Sequence, residues 1–160
     1  DSFYLYLENI KNSMNITSTI VYLPVAFPEV SVTFYKNLFS ETPEIFLEDG
    51  LIIVELPNLN LYLIDKNRYE AYYILKTGRN VKVSKDNVST IISCVLPSEE
   101  DVNIALANVS ACGGTVTSKA TTNEALGIYA GYFSDPDGHI WELAYYPPEY
   151  NRVLNFVNPN

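Results

Sequence analysis

The sequence contains one pattern twice, and that duplication limits the possible folds more than anything else in it. Moving the first half forward from position 30 to position 102, a shift of 72, lays Val30, Val32 and Phe34 over Val102, Ile104 and Leu106. In the first copy, residues 16–25 are rich in β-branched residues and alternate, with Val21, Leu23 and Val25 on one face and Ile20 and Tyr22 on the other, as a strand requires. Pro28 then opens a helical pattern at its first position, where the missing N–H is no loss, and Val30, Phe34 and Leu38 recur at helical spacing. Three short strand-like runs follow at 44–47, 51–56 and 59–64, separated by turns at 48–50 and 57–58. In the second copy, residues 88–96 read as a strand carrying Thr90, Ile92 and Cys94 on one face. Ser98 with Asp101 three residues on marks a helix start, and Val102, Leu106 and Val109 form that helix's apolar stripe. Gly113 and Gly114 end it, and strands at 115–121, 129–133 and 139–146 complete the unit.

Each copy is therefore a βαβββ module. Neither can cover both faces of its own sheet, so the expected fold is α+β, with two modules joined around shared surface and the helices outside a curled mixed sheet. The expected divisions are a leader at 1–13, a first module at 14–65, a connector at 66–87, a second module at 88–148 and a tail at 149–160. Met14 is the only methionine and precedes the first strand, so it is read as a start site, with 1–13 an appended leader. The apolar tail segment 152–157 is expected to dock on the body or on a second subunit.

Composition narrows the function. Nineteen acidic against ten basic residues give a net charge of −9, which disfavours nucleic-acid phosphates and anionic membrane surfaces alike. No apolar run approaches the roughly 18 residues that span a bilayer. Cys94 and Cys112 lack metal-type spacing and are read as reduced thiols of a cytoplasmic protein. A Gly-rich phosphate loop, a Cys-X-X-Cys pair and a nucleophile with an identifiable histidine base are all missing.

The segment 129–144, Tyr-Ala-Gly-Tyr-Phe-Ser-Asp-Pro-Asp-Gly-His-Ile-Trp-Glu-Leu-Ala, resembles the last hairpin of the vicinal oxygen chelate superfamily, the glyoxalase, bleomycin-resistance protein and extradiol dioxygenase group. Leu23-Pro-Val25 followed by Ser31-Val-Thr-Phe-Tyr35 resembles its first strand and helix, and the resemblance covers about residues 14–148. It implies a cleft formed by the curled sheets, with metal ligands on the first and last strand of each module in the metal-dependent members. Carried over by position, those ligands fall on Ile20, Tyr62, Ile92 or Thr90, and Glu142. Only Glu142 is a competent ligand, whereas a catalytic divalent metal needs about three. No protein-held metal or other cofactor is therefore expected.

The expected cleft is lined by Ile20, Tyr22, Tyr62, Thr90, Ile92, Tyr132 and Glu142. Asp135, Pro136, Asp137 and Gly138 have turn chemistry, His139 packs the turn, and Trp141 alternates with Glu142 and so belongs to the core. Lys66, Arg68 and Tyr69 of the connector are read as solvated, or as an anion contact at the cleft rim. Two functions follow from the resemblance. One is a module that binds a small organic molecule. The other is a lyase, isomerase or dioxygenase with Glu142 as general base or sole metal anchor. A third reading, an interaction protein with a side-chain-filled cleft, needs no ligand. The resemblance also implies a homodimer.

Overall fold

The computed structural model describes residues 14–39, 45–48, 51–80, 82–86 and 89–150, with backbone alone for 45–48, 51 and 150. The expected leader 1–13, the tail segment from 151 onward and most of the turn at 48–50 lie outside the described residues.

The first module runs β1 (Ile20–Val25), α1 (Pro28–Leu38), β2 (Ile45–Glu48), β3 (Leu51–Leu56) and β4 (Leu59–Asp65). A short helix α2 (Lys66–Arg68) passes directly into a π-helical turn, Tyr69–Ile74. The second module runs β5 (Ile91–Val95), α3 (Glu99–Ala111), β6 (Thr115–Thr122), β7 (Tyr129–Ser134) and β8 (Ile140–Tyr145). The sheets have corresponding orders, β1-β4-β3-β2 and β5-β8-β7-β6. In each the first strand pairs parallel with the last and the other pairings are antiparallel. The duplicated α+β architecture is therefore present.

Both leading strands are shorter than the β-branched runs suggested, because a strand begins only where a neighbour supplies ladder partners. Ile20 is the first residue paired with β4 and Ile91 the first paired with β8. The connector is more ordered than its charged composition implied. The Asp65 side chain accepts hydrogen bonds from the amides of Asn67 (3.0 Å) and Arg68 (3.1 Å), which caps the helical segment. Glu70 then receives the amide of Val83 (2.8 Å) and pairs with Lys82 (3.0 Å), pinning the return of the chain.

One core serves both modules. It draws Leu23, Val25, Leu61 and Leu63 from the first module and Ile92, Phe133, Trp141 and Leu143 from the second. Aromatic rings join the halves: Phe34 lies 6.4 Å from Phe133 and Tyr35 lies 5.7 Å from Trp141, which itself stacks on Phe133 at 6.0 Å. Trp141 is fully buried, as its alternation with Glu142 required. Gly131 sets how closely α3 approaches, since a Cβ there would lie 2.4 Å from Leu106 Cδ1.

Candidate functional site

Strand parity decides what the second module presents. On β8, Trp141 and Leu143 face the helices, so Glu142 points to the opposite face of the sheet. Its register partners are Ser93 on β5 and Tyr132 on β7. Ser93 Oγ donates to Glu142 Oε1 at 2.7 Å, and the Tyr132 hydroxyl donates to Oε2. That hydrogen bond, with lesser contributions from burial and the carboxylate charge, raises the Tyr132 phenol above its ordinary pKa. The β5 residue beside Glu142 is therefore Ser93, and neither Thr90 nor Ile92. Ile92 is buried against the helices and Thr90 precedes the strand. The signal was in the sequence, because Ile92, Cys94 and Leu96 form an apolar set suited to the core, which leaves Ser93 on the other side.

The first module presents aromatic surface at the corresponding place. Tyr22 and Tyr62 are register partners and stack at 5.3 Å. Tyr73, from the π-helical turn, packs edge-on against Tyr22 at 5.1 Å. Tyr73 lay in a segment read only as a connector, and nothing local in the sequence placed it over β1. Ile20, two residues before Tyr22, is exposed on the same face.

These residues were tested as a metal site. Among the described residues, no group of three or more His, Cys, Asp or Glu side chains could hold an ion. At the positions implied by the resemblance the side chains are Ile20, Tyr62, Ile92 or Thr90, and Glu142, and even with Ser93 beside Glu142 a single carboxylate among hydroxyls does not match the donor sets of zinc, nickel or iron. The residues do not fit a resident transition metal.

A cavity of about 630 Å³ lies between the modules. Of the expected cleft residues, Tyr22, Thr90 and Ile92 line it, while Ile20, Tyr62, Tyr132 and Glu142 do not. Ile140 is on its wall, two residues before Glu142 on the same face of β8 and so roughly 7 Å along the strand. The connector contributes Tyr69 and Ile74, whereas Lys66 and Arg68 are not part of the lining.

The Asp135–Gly138 turn closes one end of this cavity and does more than reverse the chain. Asp135 Oδ1 accepts from the amides of Asp137 (2.9 Å) and His139 (2.8 Å), as an Asx turn does. Its Oδ2 accepts from the Tyr35 hydroxyl of the first module at 2.6 Å. Burial, reinforced by the Asp135 charge, holds the Tyr35 phenol well above its usual pKa. Asp137 also reaches across, accepting from the Ala26 amide (2.7 Å) and from Ser31 Oγ (2.9 Å) at the start of α1. The Phe27 N-cap of α1 has no side-chain hydrogen bond of its own, and Asp137 of the second module instead ties down the chain just before the helix and a hydroxyl in its first turn. His139 Nε2 lies 2.7 Å from the Pro24 carbonyl, and Lys85 Nζ donates to the Pro136 carbonyl at 2.9 Å. His139 thus packs the turn, as expected, and also bridges the modules.

No protein-family model matches the chain, and no curated protein sequence matches it. Solved structures do. A glyoxalase-related enzyme from Fulvimarina pelagi is 24% identical, with a TM-score of 0.66 over 84% of this chain and 90% of its own. A glyoxalase/bleomycin resistance protein/dioxygenase from Nocardioides is 20% identical, with a TM-score of 0.69 over 92% and 95%. A hypothetical protein from S. aureus is 21% identical, with a TM-score of 0.69 over 88% and 98%. The chain has the glyoxalase fold. No helix among the described residues is long and apolar enough to cross a membrane.

Proposed function

We propose that this chain belongs to the glyoxalase/bleomycin-resistance/dioxygenase superfamily and binds a small organic molecule in the cavity between its modules, without a protein-held metal. The observation that carries the reading is the cavity itself. At about 630 Å³ it has the size of a small-molecule site, and both modules and the connector wall it with apolar and polar side chains together. The fold likeness supports the superfamily, and the donor set at Glu142 supports ligand binding over metal chemistry. Free Cys94 and Cys112 suit a reducing, cytoplasmic setting. Ile20, Ile91 and Val95 leave apolar surface exposed on the strand faces, which suits a homodimer. Light scattering reads that state directly, and a monomer at micromolar concentration overturns it.

Elemental analysis of the purified protein together with a thermal-shift screen of small aromatic and aliphatic compounds tests the main reading. The expected result is substoichiometric divalent metal and a set of compounds that raise Tm. A stoichiometric metal, or no stabilising compound at millimolar concentration, overturns it.

The hydrogen-bonded Glu142 supports one further reading, a lyase or dioxygenase of the same superfamily with Glu142 as general base. Both of its oxygens are held by O–H donors, which is how a positioned base is oriented, and it lies two residues along β8 from Ile140 on the cavity wall. If a turnover is found, Glu142→Gln should lower kcat at least about 100-fold, the usual loss of a general base. Unchanged turnover removes this reading and leaves ligand binding intact.

A further inference from the structure

The chain has a single histidine, His139, and its environment restricts what that side chain offers a ligand. The backbone is fixed by the Asp135 carboxylate, which accepts the His139 amide, and the ring is fixed by the Pro24 carbonyl 2.7 Å from Nε2. A carbonyl oxygen only accepts, so Nε2 carries the hydrogen, and in the neutral ring Nδ1 is left as a bare acceptor. Nδ1 has no hydrogen-bond partner among the described residues, and His139 lines the cavity.

The charged groups around it are largely committed. Lys82 pairs with Glu70, Lys85 donates to Pro136, and Asp137 holds Ala26 and Ser31. Asp135 lies buried behind the turn and accepts Tyr35, while Asp86 adds a further negative charge to the lining. A carboxylate or phosphate would meet acidic groups and a histidine acceptor, with both lysines already in use. A neutral molecule bearing an O–H meets the complementary partner. Tyr22, Tyr69, Ile74 and Ile92 supply aromatic and aliphatic wall for a flat ring.

We infer that His139 is the specificity-determining acceptor of the cavity and that its ligands are neutral hydroxylated aromatics, of phenol or naphthol type, whose O–H donates to Nδ1. This rests on the small-molecule-binding reading above and names the ligand class of that same site.

The probe is 2-naphthol, with 2-methoxynaphthalene as the same ring system lacking the donor. Both are titrated against the full chain by fluorescence. One neutral hydrogen bond corresponds to about 3- to 10-fold in affinity, and 2-naphthol should bind tighter by that factor. His139→Gln can retain a side-chain N–H for the Pro24 carbonyl while losing Nδ1, and it should equalise the two probes. In the unaltered protein, nitrogen-15 NMR of the single imidazole should show the Nε2–H tautomer. Its unprotonated Nδ1 resonance should move upfield with 2-naphthol and stay in place with 2-methoxynaphthalene. Equal affinity for the two probes, or an Nδ1–H tautomer, overturns the role of His139 and leaves the cavity as a binding site. Failure of both probes to bind while the broad screen finds other stabilisers overturns the ligand class alone. Failure of the screen as well takes the binding reading with it.

Discussion

The two modules share a topology and spend it differently. In the second, the residue facing away from the helices at the centre of the last strand is Glu142, held by Ser93 and Tyr132. In the first, the corresponding place on β4 is Tyr62, stacked on Tyr22, which in turn meets Tyr73 of the connector edge-on. One half carries stacked tyrosines on this face and the other a hydrogen-bonded carboxylate. The helix starts differ in the same sense. Ser98 Oγ accepts the Asp101 amide at 3.1 Å and caps α3 within its own module, whereas the residue before the α1 N-cap, Ala26, is held by Asp137 of the other. Duplication supplied two copies of a scaffold, and the second copy has come to support the first.

The largest expected effect tests whether the halves depend on one core. Trp141→Ala removes a buried ring that touches Tyr35 and Phe39 as well as Phe133, and should cost about 3–5 kcal/mol. Urea denaturation should show a single transition for the protein and a lower midpoint for the variant. Two separated transitions would show that the modules fold independently and that the comparison describes neighbours, not partners.

Next come the contacts at the two helix starts. Asp137→Ala leaves the Ala26 amide and Ser31 without their acceptor across the module boundary and should lose about 1–3 kcal/mol. Ser98→Ala should lose about 1 kcal/mol. If the second loss exceeds the first, the Asp137 contacts are not what hold the start of α1.

A pH series sharpens the same contact. Burial is the main reason the Asp135 carboxyl has a raised pKa, against the opposing pull of His139, Tyr35 and the His139 amide. The folded state therefore binds this proton more tightly than the unfolded chain. Its contribution to stability is present in full below the unfolded value near 3.8 and is lost as pH rises through the higher folded value. Asp135→Asn cannot ionise, so the stability difference between variant and parent should shift in favour of the variant over that acid-side rise. A difference that is flat with pH would mean the hydrogen bonds fully offset the burial.

The smallest effect belongs to the carboxylate itself. Glu142→Gln should leave the unfolding free energy within about 0.5 kcal/mol of the parent, because the site lies on an open strand face. It should also lower the Tyr132 phenol toward its ordinary value, which NMR of that ring reads. An unmoved Tyr132 would mean that burial, and not the Glu142 hydrogen bond, sets its titration.

The duplicated pattern, the helix starts at Pro28 and Ser98, the buried face of β8 and the placement of Trp141 were all legible in the sequence. They rest on local periodicity and capping, which a single strand or helix records by itself. The first-strand position of the second module was read at Ile92 or Thr90, whereas Ser93 is the residue beside Glu142, and a shift of one residue in a strand exchanges its faces. Tyr73 and the helical connector were not legible, since composition alone carries no information about which strand a connector crosses.

By itself the sequence determined two βαβββ modules, their apolar faces and a single acidic position where the resemblance implies ligands. Only the tertiary structure decided that Ser93 and Tyr132 hold that acid, that Tyr73 meets Tyr22 in the other half, and that a turn rich in Asp and Gly also joins the modules. The reason is physical. Periodicity fixes which way a side chain points relative to its own element, whereas contacts across a hundred residues or more, such as Tyr35 with Asp135 or Ala26 with Asp137, exist only once both elements have packed on one core.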